Sequence, residues 1–144
     1  MFIILSVFLI AVDFLTKHLA TLFLKPILNI DLIPNVLSLT YVKNRGAAFG
    51  IMQNARWFFI IITVVVLVAM VVFIIKKRPL KPLLKWSFAF IFAGAIGNLT
   101  ERVVNGFVVD MIRVHFFDFP VFNFADCLIV LGTFLLCIYI LKSE

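Results

Sequence analysis

Four long runs of apolar residues constrain this chain more than any other feature of its sequence. They cover about residues 1–24, 57–75, 83–99 and 124–141. Each run is close to the roughly 20 residues that an α-helix needs to cross a bilayer. Because 65% of the 144 residues are hydrophobic, the sequence predicts an integral membrane protein, mainly α, with one domain of four transmembrane helices over 1–144.

Positive charge is concentrated between the second and third apolar runs. The net charge is +6, and five of the thirteen basic residues stand there with no acid among them: Lys76, Lys77, Arg78, Lys81 and Lys85. This pattern favours a cytoplasmic loop under the positive-inside rule over a nucleic-acid surface. Both termini are then expected to be cytoplasmic, with intervals 25–56 and 100–123 outside.

Two short strands are predicted outside the helices. Leu37, Leu39 and Tyr41 alternate with polar residues, which is typical of a half-buried strand. Segment 107–114 is apolar and β-branched apart from a few polar residues. Together they predict a small extracytoplasmic β-element, whereas the composition of 44–50 favours a turn-rich loop.

Four of the seven acidic residues stand between the third and fourth runs or at their ends: Glu101, Asp110, Asp118 and Asp126. A carboxylate beside long apolar runs is energetically expensive and usually has a function. Asp110 and Asp126 are the candidates for an acid/base pair. Two aspartates held close share one proton, so the pair can activate water and protonate a leaving group.

Under the predicted topology, polar residues from distant parts of the chain converge near the outer face. They come from the end of the first run, the end of the third and the start of the fourth: Asp13, Lys17, Asn98, Glu101, Arg102, Asn123 and Asp126. This convergence predicts a polar site at the outer membrane surface.

Structural roles remain open for several of these residues. Asn123 fits a helix N-cap, with Asp126 near the positive end of the helix dipole. Asp110 could be a strand-edge acid paired with Arg113.

Alternative roles also remain open for Asp13, Lys17 and Arg102. Asp13 and Lys17 have i, i+4 spacing, so they could form a neutral pair, organise a polar site, or do both. Arg102 could pair with its neighbour Glu101 or orient a carboxylate.

Other chemistries have less support in the sequence. The two histidines, His18 and His115, form no metal-ligand spacing with each other or with cysteine, so no metal or cofactor is expected. None of the four serines lies in a nucleophile elbow. Cys127 and Cys137 are about 15 Å apart along a helix, too far for a disulfide, and are expected to be buried packing residues.

Five motif blocks stand in order along the chain: Asp13-Phe14-Leu15-Thr16-Lys17, Asn44-Arg45-Gly46-Ala47-Ala48-Phe49, Gly97-Asn98 through Arg102, Gly106-Phe107-Val108-Val109-Asp110, and Phe122-Asn123-Phe124-Ala125-Asp126. Together they resemble, over the whole chain, the motifs of lipoprotein signal peptidases, also called signal peptidase II. The resemblance implies a bacterial intramembrane aspartic protease, multi-pass in the cytoplasmic (inner) membrane. It also implies removal of signal peptides from diacylglyceryl-modified prolipoproteins, just before the modified cysteine.

The resemblance places the catalytic pair on Asp110 and Asp126. It implies supporting or substrate-binding roles for six more residues: Asp13, Lys17, Asn44, Asn98, Arg102 and Asn123. The family usually has Asp-Arg where this chain has Glu101-Arg102, so the supporting role of Glu101 is an open point. We expect Glu101→Asp, which preserves the charge, to keep more activity than Glu101→Gln.

The expected partners are the lipid-modified prolipoprotein and membrane lipid, with no nucleic acid, and the chain is expected to be a monomer. Nothing is assigned to His115, and the resemblance does not say which aspartate is the base. A small transporter or proton pathway using the same polar residues is the alternative function. It would need ionisable residues through the bilayer depth. The inner halves of the last three apolar runs carry no acidic residue, and their one basic residue is Lys85, near the start of the third run.

Overall fold

Four long helices form most of the computed structural model, which describes residues 2–47, 51–77, 79–116 and 118–142. They are α1 (Phe2–Leu19), α2 (Arg56–Lys76), α3 (Pro82–Val104) and α4 (Phe124–Leu141). All four are long and apolar enough to cross a membrane, which confirms the predicted fold class. Several residues of the predicted segments lie outside the described residues: Met1, Ala48, Phe49, Gly50 and Arg78.

The ends of two helices differ from simple apolar runs. After Leu19 the chain continues as a short π-helix, Ala20–Leu24. The third helix ends at Val104, past the predicted end at residue 99. The apolar pattern stops earlier because the last turns of α3 carry polar residues. Some of them are nevertheless buried, because they contact polar groups of other elements. Gly106, at a φ of 80°, follows the helix and supplies the left-handed conformation that often ends one.

Three antiparallel strands lie in the order β1 (Asn29–Ile33), β2 (Leu37–Asn44) and β3 (Val108–Val114). The predicted strands are therefore confirmed as β2 and β3. Strand β1 was not predicted, although polar and apolar residues alternate from Asn29 to Leu32. All five of its residues are exposed, so this alternation does not mark a buried face.

Burial alternates along β2, and its more deeply buried residues are the polar ones. Ser38 and Thr40 are buried, whereas Leu39 and Tyr41 are partly buried against an apolar cluster. The hydroxyl of Ser38 lies 2.7 Å from Nε2 of His115, and that of Thr40 donates to the Leu28 carbonyl. Both buried hydroxyls are thus satisfied.

Helix α3 is the central element, because α1, α2 and α4 all pack against it. Small residues allow the closest of these approaches. A Cβ at Gly94 would collide with the Ala125 carbonyl of α4. The two helices therefore cross almost backbone to backbone at the level where α4 begins.

The prediction that Cys127 and Cys137 are buried is wrong. Both are free and exposed on α4. A soluble protein would bury such apolar side chains in its core. On a membrane-spanning helix the lipid itself is an apolar surrounding, so an outward position carries little penalty.

Candidate active site

The polar residues that the sequence singled out meet at one end of the helix bundle. They come from five elements: Asp13 and Lys17 from α1, Asn44 from β2, Asn98, Glu101 and Arg102 from α3, Asp110 from β3, and Asn123 and Asp126 from the start of α4. Hydrogen bonds and the Lys17–Glu101 ion pair connect eight of these nine residues directly into one network. Arg102 is connected only through Gly46, whose carbonyl accepts from Arg102 and whose N–H donates to Asn44. The predicted convergence of these residues is confirmed.

The start of α4 is a capping box. The Asn123 side chain accepts a 3.0 Å hydrogen bond from the Asp126 backbone N–H. In return, Asp126 Oδ2 accepts from the Asn123 backbone N–H at 3.1 Å. The capping interpretation of this pair is therefore confirmed, and it uses only one of the Asp126 oxygens.

The second oxygen of Asp126 belongs to the polar network. Asp126 Oδ1 accepts a 2.8 Å hydrogen bond from the Asn98 amide nitrogen. The capping box fixes the backbone of Asp126 and one of its carboxylate oxygens, and Asn98 fixes the other oxygen. The carboxylate is thus held in one orientation from two elements.

Asp110 lies within β3, opposite Val42 of β2, and only 2% of it is exposed. Its Oδ1 accepts from the Asn123 amide at 2.6 Å, and its Oδ2 accepts from the Asn44 amide at 2.8 Å. The alternative pairing with Arg113 is wrong, because residues three apart on a strand point to opposite faces. Asn123 therefore touches both candidate aspartates.

The environment of Asp110 changes its acidity. Burial, and after it the negative charge of Asp126, raises the pKa of Asp110 to about 6. The hydrogen bonds from Asn44 and Asn123 act in the opposite direction, because they stabilise the ionised form. The carboxyl group is therefore poised to exchange a proton near neutral pH.

A buried ammonium connects α1 to this network. Lys17 Nζ lies 2.8 Å from Asp13 Oδ2, 2.9 Å from Asn98 Oδ1 and 3.5 Å from Glu101 Oε2. Asp13 is completely buried, and its other oxygen accepts from the Ala125 N–H in the first turn of α4. The Asp13–Lys17 pair is thus both a neutralised pair and an organiser of the site.

Glu101 and Arg102 point to different partners, although they are neighbours in sequence. Glu101 Oε2 accepts a 2.8 Å hydrogen bond from the Val109 backbone N–H, one residue before Asp110. Arg102 donates to the Gly46 carbonyl at 3.2 Å, and its guanidinium lies 5.0 Å from the centre of the Phe59 ring. The suggested Glu101–Arg102 pair is therefore replaced by contacts to other elements.

Sequence reasoning missed the groups that these two side chains use. Val109 contributes only its backbone N–H, and Gly46 only its carbonyl. Phe59 stands in a long apolar run where nothing in the sequence sets it apart. His115 bonds Ser38 rather than any carboxylate of the network.

A cleft of about 460 Å³ opens onto the two aspartates. Its polar end is lined by Asn44, Asn98, Arg102, Asp110 and Asp126. Its walls are apolar side chains of α2 and α4, among them Ile62, Val66, Ile129 and Val130. In the described part of the chain no three His, Cys, Asp or Glu side chains are grouped so as to hold a metal ion.

Comparison with known proteins identifies the family. A family model described as signal peptidase (SPase) II matches residues 5–142.

The chain belongs to the signal peptidase II family.

Relatives agree with this assignment over nearly the full chain. A lipoprotein signal peptidase of Caldanaerobacter subterraneus is 46% identical over 136 residues, which cover 94% of this chain and 92% of the relative. One from Streptococcus thermophilus is 42% identical, with 94% and 89% covered. One from Staphylococcus aureus is 38% identical, with 98% and 88% covered.

Two solved structures share the fold of this signal peptidase II member. Both are described as bacterial membrane enzymes solved by the in meso method. The first superposes with a TM-score of 0.91 at 37% identity, covering 99% of this chain and 88% of its own. The second has a TM-score of 0.89 at 36% identity, with 99% and 94% covered. The family resemblance drawn from the five motifs is confirmed, and the chain is a peptidase of the multi-pass bacterial membrane type.

Proposed function

We propose that this protein is an intramembrane aspartic endopeptidase that removes signal peptides from diacylglyceryl-modified prolipoproteins. The cut falls just before the lipid-modified cysteine. One observation carries the proposal: Asp110 and Asp126, bridged by Asn123, stand at the polar end of a cleft with apolar walls. The names of the relatives, lipoprotein signal peptidase, support the substrate class.

The proposed reaction uses the two aspartates as one unit that holds a single proton. The ionised carboxylate takes a proton from water, and the hydroxide so formed attacks the carbonyl carbon of the scissile peptide bond. The protonated carboxyl hydrogen-bonds the carbonyl oxygen and then supplies a proton to the leaving amine. The raised pKa of Asp110, about 6, supports a shared proton near neutral pH.

The walls of the cleft suit a lipid-bearing peptide. The apolar faces of α2 and α4 extend away from the aspartates, along the direction that acyl chains or an apolar signal segment would follow. The polar end lies beside Asn44 at the end of β2, Gly46 just after it, and Asp110 in β3. The peptide is thus proposed to lie extended near segments 36–50 and 107–114, with its acyl chains in the bilayer.

The orientation of the site in the membrane is part of the same proposal. Lys76 ends α2, Lys77 and Lys81 stand in the loop that follows, and Lys85 lies in the first turn of α3. Such basic connections stay cytoplasmic. The site, at the opposite ends of these helices, then faces outward, and both termini are cytoplasmic. The residues that the sequence predicted for the site meet within one chain, and we propose that a monomer is active.

The test is cleavage of a purified lipid-modified precursor, with the product N-terminus read by mass spectrometry. The wild type should cut just before the modified cysteine, also in the presence of a strong chelator. Asp126→Asn should abolish cleavage, whereas Asp31→Asn, which changes an exposed aspartate of β1, should not. Equal cutting of a precursor without the diacylglyceryl group would reject the proposed substrate class, and zinc-restored activity after chelation would reject the aspartic mechanism.

A further inference from the structure

Asn98 stands at the crossing of the buried polar network. Its Oδ1 accepts a 2.9 Å hydrogen bond from the Lys17 ammonium and a 3.3 Å bond from the Asn123 amide. Its Nδ2 donates the 2.8 Å bond to Asp126 Oδ1. The side chain therefore links a buried cation on α1 to a carboxylate on α4.

The direction of this link depends on Lys17. An ammonium can only donate hydrogen bonds, and an ionised carboxylate can only accept them. If the Asn98 amide were turned over, its NH2 group would face the ammonium and its oxygen would face Asp126. Both contacts would then be repulsive, so the charge on Lys17, at the shorter of the two contacts to Asn98 Oδ1, favours the orientation in which the amide NH2 group reaches Asp126.

We propose that Lys17 is a positioning residue for the reaction, which fixes the Asn98 amide so that its NH2 group always faces Asp126. The proposal rests on the proposed function of Asp126. In this role Lys17 does not need to touch the substrate. Lys17 lines a separate groove between α1 and α3, together with Thr21 and Thr100. It thus acts on the reacting carboxylate through Asn98.

The surroundings of Lys17 hold its ammonium in place. Asp13 and Glu101 contact it from two sides, and only 3% of the residue is exposed. The absence of a side chain at Gly97 makes room for Asp13, since a Cβ there would collide with its Oδ2. The ammonium is therefore fixed before any substrate binds, as a positioning group must be.

The first test is Lys17→Met, which keeps an unbranched side chain and removes the charge and all donors. We expect the rate constant for cleavage to fall on the order of 10- to 100-fold, because a small misplacement of a reacting group has effects of this size. KM should stay within about twofold, because Lys17 does not line the cleft. Lys25→Met, at an exposed lysine, is the matched control and should match the wild type in both.

The second test combines this change with Asn98→Ala, with enzyme in excess over precursor so that very slow single turnovers are measured. Because Lys17 acts through Asn98, the combined variant should be no more than about twofold slower than Asn98→Ala alone. A loss that adds in full to the effect of Asn98→Ala would overturn the proposal.

A neutral version of the charged cluster covers the case in which Lys17→Met does not fold. In Asp13→Asn, Lys17→Met, Glu101→Gln no buried charge is left unpaired, and carbonyl oxygens remain for the Ala125 and Val109 N–H groups. The same loss of rate at unchanged KM supports the proposal, and a wild-type rate in this folded variant overturns it. If Asp126→Asn abolishes cleavage while the Lys17 variants keep the full rate, the positioning role fails and the proposed function stands.

Discussion

At the residue scale, the site depends on asparagine amides that hold two carboxylates in place. Each oxygen of Asp110 and of Asp126 accepts one hydrogen bond, and Asn123 contributes to both residues. The acids were predictable because charge is rare near long apolar runs. Which residue bonds which carboxylate could not be predicted, because it depends on how five elements pack together.

The raised pKa of Asp110 gives a direct spectroscopic prediction. The infrared C=O band of a protonated carboxyl, assigned by its loss in Asp110→Asn, should titrate near pH 6 in the folded wild type. In Asp126→Asn the midpoint should fall, because one cause of the raised pKa is removed, but burial should keep it above 3.8. A midpoint at the ordinary aspartate value in the wild type would contradict this description of the site.

The same pKa fixes the sign of one contribution to stability. The folded state binds the Asp110 proton more tightly than the unfolded state, whose pKa is near 3.8. The contribution is therefore fully present below about pH 4 and is lost as pH rises through about 6, by up to about 3 kcal/mol. Between pH 4 and pH 7 the thermal midpoint of the wild type should fall more than that of Asp110→Asn in the same detergent.

The geometry at Glu101 reverses the ranking expected from charge alone. One oxygen of Glu101 is close to both the Val109 N–H and Lys17 Nζ, at 2.8 and 3.5 Å. Glutamine has the same length and keeps a carbonyl oxygen for both donors. Aspartate keeps the charge but is one methylene shorter, so it leaves the Val109 N–H without its partner.

We therefore expect Glu101→Gln to retain more activity and a higher thermal midpoint than Glu101→Asp, by about 1–2 kcal/mol in unfolding free energy. Cleavage rates and thermal unfolding of the two purified variants measure this difference. A clearly more active Glu101→Asp would mean that charge at this position matters more than its bond to β3.

At the element scale, α3 connects the other three helices and brings their polar ends together. The helices and two strands could be predicted because apolar length and alternation are local properties of a sequence. The late end of α3 could not, because Glu101, beyond the predicted end at residue 99, is stabilised there by groups from α1 and β3. Strand β1 was not predicted either, because its alternation covers only the four residues from Asn29 to Leu32, and all five of its residues are exposed.

Gly97 offers a test of how α3 positions the site. A Cβ at Gly97 would collide with Asp13 Oδ2 and approach the Ala125 Cβ at 3.6 Å. Gly97→Ala should therefore displace Asp13 from the start of α4, lowering stability by about 1–3 kcal/mol and cleavage by at least tenfold. Both quantities are measured on the purified variant, by thermal unfolding and by precursor cleavage.

Gly132→Ala provides the matched control, because its Cβ would press on Ile91 Cγ1 at 2.7 Å and on the Ile91 N and Ser87 O atoms at 2.8 Å, between α4 and α3 and away from Asp13. It should also lower the thermal midpoint, but each folded molecule should keep its activity. Equal loss of activity in both variants would mean that helix packing in general, rather than the position of Asp13, controls the site.

At the scale of the whole molecule, the proposed orientation places the site and the basic loop on opposite sides of the membrane. Single cysteines at Asn54 and Lys81, both exposed, test this in a background without Cys127 and Cys137. A membrane-impermeant thiol reagent should label position 54 from outside intact cells and position 81 only after the membrane is opened. Labelling of both from the same side would overturn the proposed orientation.

The central claim, that Asp110 and Asp126 act as one catalytic pair, is tested most directly by precursor cleavage in three variants. These are Asp110→Asn, Asp126→Asn and the double variant, each first shown to be folded. Either single change should remove nearly all turnover, and the double variant should be hardly slower than either one, because residues that act as a unit are not additive. Substantial turnover in a folded single variant would contradict the account.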